Sequence, residues 1–266
     1  MSAVARLAGL EQINLSHTLV TDKGLAALAP LSKLRRLWIN NNTHLTGKGL
    51  PLLPELEELE LSGTSLDDAG LERAARIPGL RALRAAYSNI SDTGLKHLAA
   101  LPQLRSLDLT STDILDAGLA ALKPLVTLEE LFLSYGRFSD KGIASLASLS
   151  SLRRLDIART RLSDAGLAAI AKLTSLRRLN LDYSNISDQG LELLAGALPE
   201  LEELRLDTAN ITDKGLEPLQ RLKRLRYVNL YHTMVTDQGY QALKKHLPGC
   251  QVVYERESSL PNRRKS

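Results

Sequence analysis

Residues 104–125 read L-R-S-L-D-L-T-S-T-D-I-L-D-A-G-L-A-A-L-K-P-L, and two periodicities meet inside them. Leu107 and Leu109 alternate with Asp108 and Thr110, the period of two that marks a half-buried strand. Leu119, Leu122 and Leu125 then fall three apart, which lines one side of a helix. A strand and a helix this short cannot cover their own leucines. They require neighbours of the same kind stacked on either side.

The chain supplies those neighbours. The tetrapeptide Asp-x-Gly-Leu recurs at Asp22, Asp68, Asp92, Asp116, Asp164, Asp188 and Asp213, with variants headed by Asp140 and Asp237. Ten glycines, from Gly24 to Gly239, follow a spacing of 24 with small departures, which makes ten repeats. Each repeat opens with L-x-x-L-x-L and continues with G-L-x-x-L-x-x-L. At the junction stands Ser, Thr or Asp followed by Asp, as in Thr21-Asp22, Ser91-Asp92 and Ser163-Asp164. A hydroxyl there accepts from the unpaired amides of the first helical turn, and the carboxylate is favoured by the helix dipole. A string of aspartates also raises the question of calcium, but a calcium loop gathers several oxygens within a dozen residues around a tight turn. Capping accounts for the hydroxyl, the aspartate and the spacing together.

The pattern resembles the leucine-rich-repeat family, in the L-x-x-L-x-L-x-x-T-x-I-T-D-x-G-L form common in bacterial proteins. It is similar to the cysteine-containing repeats of F-box proteins, with Thr18, Thr64, Ser88, Thr112, Thr160, Ser184 and Thr233 where those carry cysteine. The resemblance covers about residues 4–254. It implies an α/β solenoid, a right-handed horseshoe of about ten 24-residue repeats with a parallel β-sheet on the concave face and helices on the convex face. It implies binding, and no particular partner.

Composition fits. Apolar residues make up 44% of the 266-residue chain and aromatics 4%, so the core is built from Leu, Ile, Val and Ala. The formal charge of +4 comes from 34 basic residues set against 30 acidic ones, which gives no reason to invoke nucleic acid. A single cysteine, Cys250, excludes an intramolecular disulfide and suits a reducing compartment. No signal sequence or membrane span is visible, so a cytoplasmic, monomeric protein is expected. The expected organisation is one solenoid over 1–254, with a partial N-terminal cap at 1–9 and an edge strand at 250–254. A disordered polar tail is expected at 255–266.

Because side chains alternate across a strand, the exposed rows can be read directly. The residue between the two strand leucines runs Asn14, Trp38, Glu60, Arg84, Asp108, Phe132, Asp156, Asn180, Arg205, Asn229. The strand exit runs His17, Asn41, Gly63, Tyr87, Ser111, Tyr135, Arg159, Tyr183, Thr208, His232, with Tyr231 one step earlier and Tyr227 before the strand core. Seven of the ten aromatics fall in these rows, and Tyr and Arg are the side chains that dominate interfaces. Trp38, Tyr87, Phe132, Tyr135, Arg159, Tyr183, Arg205, Tyr227 and Tyr231 are therefore the candidate partner-binding residues. The competing reading is that the tyrosines only cover adjacent leucines.

Arg35-Arg36 against Glu57-Glu58, Glu129-Glu130 against Arg153-Arg154, and Arg177-Arg178 against Glu202-Glu203 read as structural cross-strand pairs. The second repeat carries an extra residue within Asn40-Asn41-Asn42 and lacks three near Gly49, so its outer helix is expected to shrink to a single turn. Beside Trp38 this is either a second contact point or a bulge that bends the chain. An extra residue near Gly196 lies on the outer side.

No catalytic constellation, metal site or cofactor motif emerges. His17 and His232 are nine strand steps apart, and a buried Cys250 beside an exposed His246 lacks a third group or an oxyanion donor. The function expected is a non-enzymatic module that binds a protein or peptide on the concave face. The alternative is an architectural segment of a larger protein, with a nucleic-acid binder or an enzyme further behind.

Overall fold

A computed structural model describes residues 3–257, and the chain divides into two compact units, Met1–Gly136 and Arg137–Ser266. In the first unit, strands β1 (Gln12–Asn14), β2 (Arg36–Trp38), β3 (Glu58–Glu60), β4 (Ala82–Arg84), β5 (Ser106–Asp108) and β6 (Glu130–Phe132) pair in parallel in chain order. In the second, β7 (Arg154–Asp156), β8 (Arg178–Asn180), β9 (Glu203–Arg205), β10 (Tyr227–Asn229) and β11 (Gln251–Val253) do the same. Register follows the repeat, leucine opposite leucine, as in Leu83↔Leu107 and Leu179↔Leu204. Where the sequence loses or gains residues, the change falls outside the strands: Leu37 still faces Leu59 and Leu179 still faces Leu204.

Helices return the chain from each strand to the next. The first unit has α1 (Asp22–Ala26), α2 (Asp68–Ala74), α3 (Asp92–Leu95) and α4 (Asp116–Leu119). The second has α5 (Asp140–Ile143), α6 (Asp164–Ile170), α7 (Asp188–Ala197), α8 (Asp213–Leu219) and α9 (Asp237–His246). Helices of four residues have no independent stability. They persist because Leu95, Leu119, Leu167 and their counterparts are buried against the strand leucines Leu83, Leu107 and Leu155. Each such side chain contributes about 1.5–3 kcal/mol only when a neighbouring repeat covers it. The extra residue near Gly196 is absorbed in α7, which runs ten residues where α3 and α4 hand over to 3-10 turns.

Two polar rows recur along the repeats, one bonding within each repeat and one between neighbours. Thr64, Ser88, Thr112, Thr160, Ser184 and Thr233 are buried, and each donates its hydroxyl to the carbonyl three residues back, capping the end of its strand. The second row is the Asp-x-Gly-Leu motif. Most junction hydroxyls accept from an amide of the first helical turn, as Ser91 does from Thr93 and Thr212 from Lys214. The aspartate does more than face a helix dipole: its carboxylate reaches the junction of the following repeat. Asp68 accepts from the Ser91 amide at 2.8 Å and hydroxyl at 2.6 Å, and Asp188 from Thr212 at 2.8 and 2.5 Å. Asp22, Asp140, Asp164 and Asp213 repeat the arrangement. Burial works against ionising Asp22, but the hydrogen bonds from Gly49 and Thr46 outweigh it and hold the carboxyl below the usual range.

The motif glycine follows from the same contact. A Cβ on Gly94 would sit 2.4 Å from Asp68 Oδ1, and one on Gly118 would sit 2.2 Å from Asp92 Oδ1. The carboxylate of one repeat thus occupies the space that a side chain on the next would need.

The second repeat departs from the pattern of the others. No α-helix forms around Gly49; the shortened segment makes a single turn, with the Leu50 amide donating to the Gly47 carbonyl at 3.0 Å and Gly47 at φ 84°. The extra asparagine is structural. Asn42 is 1% exposed, donates to the carbonyls of Leu15 and Ile39, and accepts from the Thr18 hydroxyl and the Val20 amide. It replaces the buried hydroxyl of the other repeats with a side chain that spans two.

At the ends of the described chain, Val4–Arg6 forms a 3-10 turn with no buried residue. Tyr254 stacks on Tyr240 at 5.0 Å, and Arg256 pairs with Asp237 at 3.1 Å. Most of the expected polar tail, residues 258–266, lies outside the described residues.

Candidate recognition surface

The row between the strand leucines has a structural task of its own. Asn14, Glu60, Asp108, Asp156, Asn180 and Asn229 each accept a hydrogen bond from the amide two residues on, at 2.9–3.3 Å. These amides lie just past the last strand residue, where the ladder ends, and a short acceptor satisfies them locally. Six of the ten residues in this row are thereby explained without a partner.

The other four are Trp38, Arg84, Phe132 and Arg205, none of which can accept such a bond. Behind Arg84 the Ala86 amide turns to Ser62 Oγ of the preceding repeat, and behind Arg205 the Asp207 amide turns to Asp182 Oδ1 at 2.7 Å. Asp182, which takes this bond, is half-buried, and the Asp207 amide and the Arg205 charge both favour its ionised form. Burial, with the neighbouring charge of Asp207 and despite the Asp207 amide, pushes its carboxyl up to about 6. Arg84 was not singled out by its residue type. What distinguishes it is its departure from a row of acceptors.

The strand-exit row is unified by backbone geometry. His17, Asn41, Tyr87, Ser111, Tyr135, Arg159, Tyr183, Thr208 and His232 all have φ between 53° and 63°, and Gly63 has φ 68°. In this left-handed region Gly and Asn are the inexpensive residues, and other side chains cost about 1–2 kcal/mol. Tyr87, Tyr135 and Tyr183 stand here 62%, 52% and 39% exposed. Gly63 and Asn41 occupy the same turn in other repeats, so the turn itself does not require a ring.

The candidates fall in both units. Trp38, Tyr87, Phe132 and Tyr135 belong to the first, with Trp38 and Phe132 half-buried on β2 and β6. Arg159, Tyr183, Arg205, Tyr227 and Tyr231 belong to the second. There the Arg159 guanidinium lies 3.6 Å from the Tyr183 ring centroid, and that of Arg205 lies 5.2 Å from Tyr227. Arg205 is also held by Glu203 at 2.6 Å, so its planar head is positioned in advance. Tyr231 packs on His232, whose Nδ1 lies 3.1 Å from Asp207. The ion pairs Arg36–Glu58, Arg177–Glu202 and Arg178–Glu203 form across strands at 3.2–3.9 Å, while Arg35 turns to Glu55. All are solvent-exposed and worth little individually.

His246 and Cys250 are each turned to a backbone carbonyl. His246 Nδ1 is 2.9 Å from the Ala242 carbonyl, and Cys250 Sγ is turned to the Gln251 carbonyl, with burial pushing the thiol pKa up. A depression over β7–β9, lined by Arg154, Asp156, Arg178, Asn180, Glu203 and Arg205, has a volume of about 160 Å³. A larger depression of about 600 Å³ is lined by Lys223, Arg224, Arg226, His246, Pro248 and Cys250, which is within the size range of small-molecule sites. Among the described residues no group of three or more His, Cys, Asp or Glu is placed to hold a metal, and no helix is long and apolar enough to cross a membrane.

Parallel three-residue strands, leucine-filled interiors and helical returns at a 24-residue repeat define each unit as a leucine-rich-repeat solenoid. The Leucine Rich repeat family model matches residues 101–123, 148–171 and 172–195. Among solved structures, an internalin (inlF) from Listeria monocytogenes aligns with a TM-score of 0.72 and 21% identity, over 96% of this chain and 76% of that one. Internalin C2 (inlC2) from the same organism aligns with a TM-score of 0.55 and 28% identity, over 89% of this chain and 84% of that one. No curated protein matches in sequence. The chain carries leucine-rich repeats and has the fold of leucine-rich-repeat proteins.

Proposed function

We propose that this chain is a non-enzymatic recognition module that holds a protein or peptide partner against the exposed faces of its strands. The observation that carries the reading is the set of four residues, Trp38, Arg84, Phe132 and Arg205, that abandon a structural acceptor in a row where six others keep it. In two of these exchanges the amide turns instead to an acceptor on the neighbouring repeat. Aromatic and guanidinium side chains kept in place of an acceptor are what a binding surface selects, since they offer large contact area and planar hydrogen bonding. The exposed tyrosines and Arg159 at the strand exits support the same reading. The single, buried thiol of Cys250 supports placing the protein in a reducing compartment such as the cytoplasm.

The test is capture of partners from the source cell by the wild-type chain and by a Tyr135→Ala, Arg159→Ala, Tyr183→Ala variant. Loss of the partner with an unchanged denaturation midpoint supports the reading. Equal retention by a folded variant removes these residues from the site.

A further inference from the structure

Independently of the strand-face reading, we infer that the second unit binds an acidic peptide segment in the depression between α9 and β11, where a Glu or Asp of the ligand pairs with Arg226. The site follows from a turn that every repeat shares. The amides of Leu34, Leu56, Leu201, Leu225 and Cys250 each donate to the carbonyl three residues back. The residues before these donors are therefore equivalent, which aligns Glu55, Glu200, Arg224 and Gly249. The residues after them are equivalent too, which aligns Arg35, Glu202, Arg226 and Gln251.

Where the following repeat offers a carboxylate at either position, the arginine takes it. Arg35 pairs with Glu55 at 3.6 Å, Arg177 with Glu202 at 3.4 Å, and Arg105 with Glu129. Arg226 is followed by Gly249 and Gln251, and Glu202 on the repeat before it is held by Arg177. Among the described residues Arg226 and Lys223 have no ion pair, whereas Arg224 holds Glu200. The glycine also leaves room, since a Cβ built on Gly249 meets nothing within 4 Å. The depression of about 600 Å³ lies here, and its lining includes Lys223, Arg224, Arg226 and His246 but no carboxylate. Lys244 holds the rim, donating from Nζ to the Cys250 carbonyl at 2.7 Å and the Pro248 carbonyl at 3.3 Å. The space and its guanidinium are the imprint of a glutamate that Arg35 has and Arg226 lacks.

That equivalence gives the chemistry of the ligand. A planar guanidinium takes a carboxylate through two parallel N–H bonds, and the fold already places a carboxylate at this position in the Arg35–Glu55 pair. A peptide fits better than a small molecule. Lys223, Arg224, Arg226 and His246 are all exposed, whereas a small ligand is held by burying about 70–90% of its surface. An acidic chain laid over the turn sums several exposed pairs that are each worth little.

The experiment measures fluorescence anisotropy of a labelled hexaglutamate peptide at low ionic strength, where exposed pairs are least screened. Citrate, inorganic phosphate and oligothymidylate serve as competitors. The proteins are wild type, Arg226→Gln, Gly249→Glu, Gly249→Ala and Lys245→Gln. Three of these variants lower the net charge by one, but Lys245 does not line the depression. Gly249→Glu supplies the missing carboxylate in the chain itself, and Gly249→Ala leaves the space open. Peptide binding is expected to fall about fivefold in Arg226→Gln and Gly249→Glu, and by less than about twofold in Gly249→Ala and Lys245→Gln. Denaturation midpoints should be unchanged, or higher in Gly249→Glu. An equal loss in Lys245→Gln reduces the effect to overall charge and overturns the inference. Citrate or phosphate bound as tightly as the peptide makes the site one for a small anion, and tighter binding of oligothymidylate makes it one for nucleic acid; either result overturns the peptide assignment. So does an absence of binding to the wild-type chain.

Discussion

Replacing Gly118 with alanine tests the aspartate ladder, because its outcome should change sign with one other residue. The new Cβ would lie 2.2 Å from Asp92 Oδ1, 2.9 Å from its Cγ and 3.0 Å from Ile114 Cγ2. Asp92 Oδ1 would have to swing away and release the Leu115 amide, which it holds at 2.8 Å. A hydrogen bond to a charged group contributes about 1.5–3 kcal/mol, and forced repacking adds about 1 kcal/mol. Alanine in place of glycine in a helix returns about 1 kcal/mol. The net cost in the wild-type background is therefore about 1.5–3 kcal/mol. With Asp92→Ala already present the clash is gone, and Gly118→Ala should range from neutral to about 1 kcal/mol stabilising. Urea denaturation followed by far-ultraviolet circular dichroism gives the four stabilities of the cycle, with slopes compared because stacked repeats can lose cooperativity. Gly196→Ala in α7 is the control, since nothing lies within 4 Å of its added Cβ, and it should stabilise by up to about 1 kcal/mol. An equal cost of Gly118→Ala with and without Asp92 would refute the claim that the carboxylate is what excludes the side chain.

Leu115 is the junction residue that lacks a hydroxyl and is 46% exposed, so Leu115→Thr should restore both the cap and the bond to Asp92, raising stability by about 1 kcal/mol in the same assay. Asp182 is ionised less readily in the folded chain than in the unfolded one, so its contribution is fully present below pH 3.8 and is lost as pH rises through about 6. Because the group is partly solvated, the effect is discounted to about 1 kcal/mol: Asp182→Asn, which keeps an acceptor for Asp207, should stabilise near pH 7 and change nothing near pH 3. Asn42→Leu strands the carbonyls of Leu15 and Ile39 and the amide of Val20, with an expected loss of about 2–4 kcal/mol measured as a lower denaturation midpoint. Cys250, 1% exposed with its thiol pKa raised by burial, should react with a thiol reagent only on unfolding, at a rate that tracks denaturant concentration.

The periodicity of two in Leu107-Asp108-Leu109 and of three in Leu119, Leu122 and Leu125 was enough to place strand, helix and interior, because a leucine has one favourable destination and its spacing says which face goes there. The exposed rows were legible for the same reason: alternation across a strand leaves no freedom once the leucines are assigned. The second repeat was harder. Three missing residues predicted a shortened helix, and the structure keeps only one turn there, closed by the Leu50 amide on the Gly47 carbonyl.

Sequence by itself determined the fold, the inward side of every repeat and its outward rows, since these follow from local period and side-chain type. Tertiary structure decided which of those residues are spoken for. Asp92 looks like a helix cap until its carboxylate is seen to bind the following repeat, and Asp108 looks like a surface acid until its oxygen is seen on the Thr110 amide. Arg84 looks ordinary until it is set against Glu60 and Asp108, which both carry acceptors. Hydrogen bonds are made to whatever lies within about 3 Å, and in a stacked solenoid that is a group some 24 residues away as often as the next one along the chain.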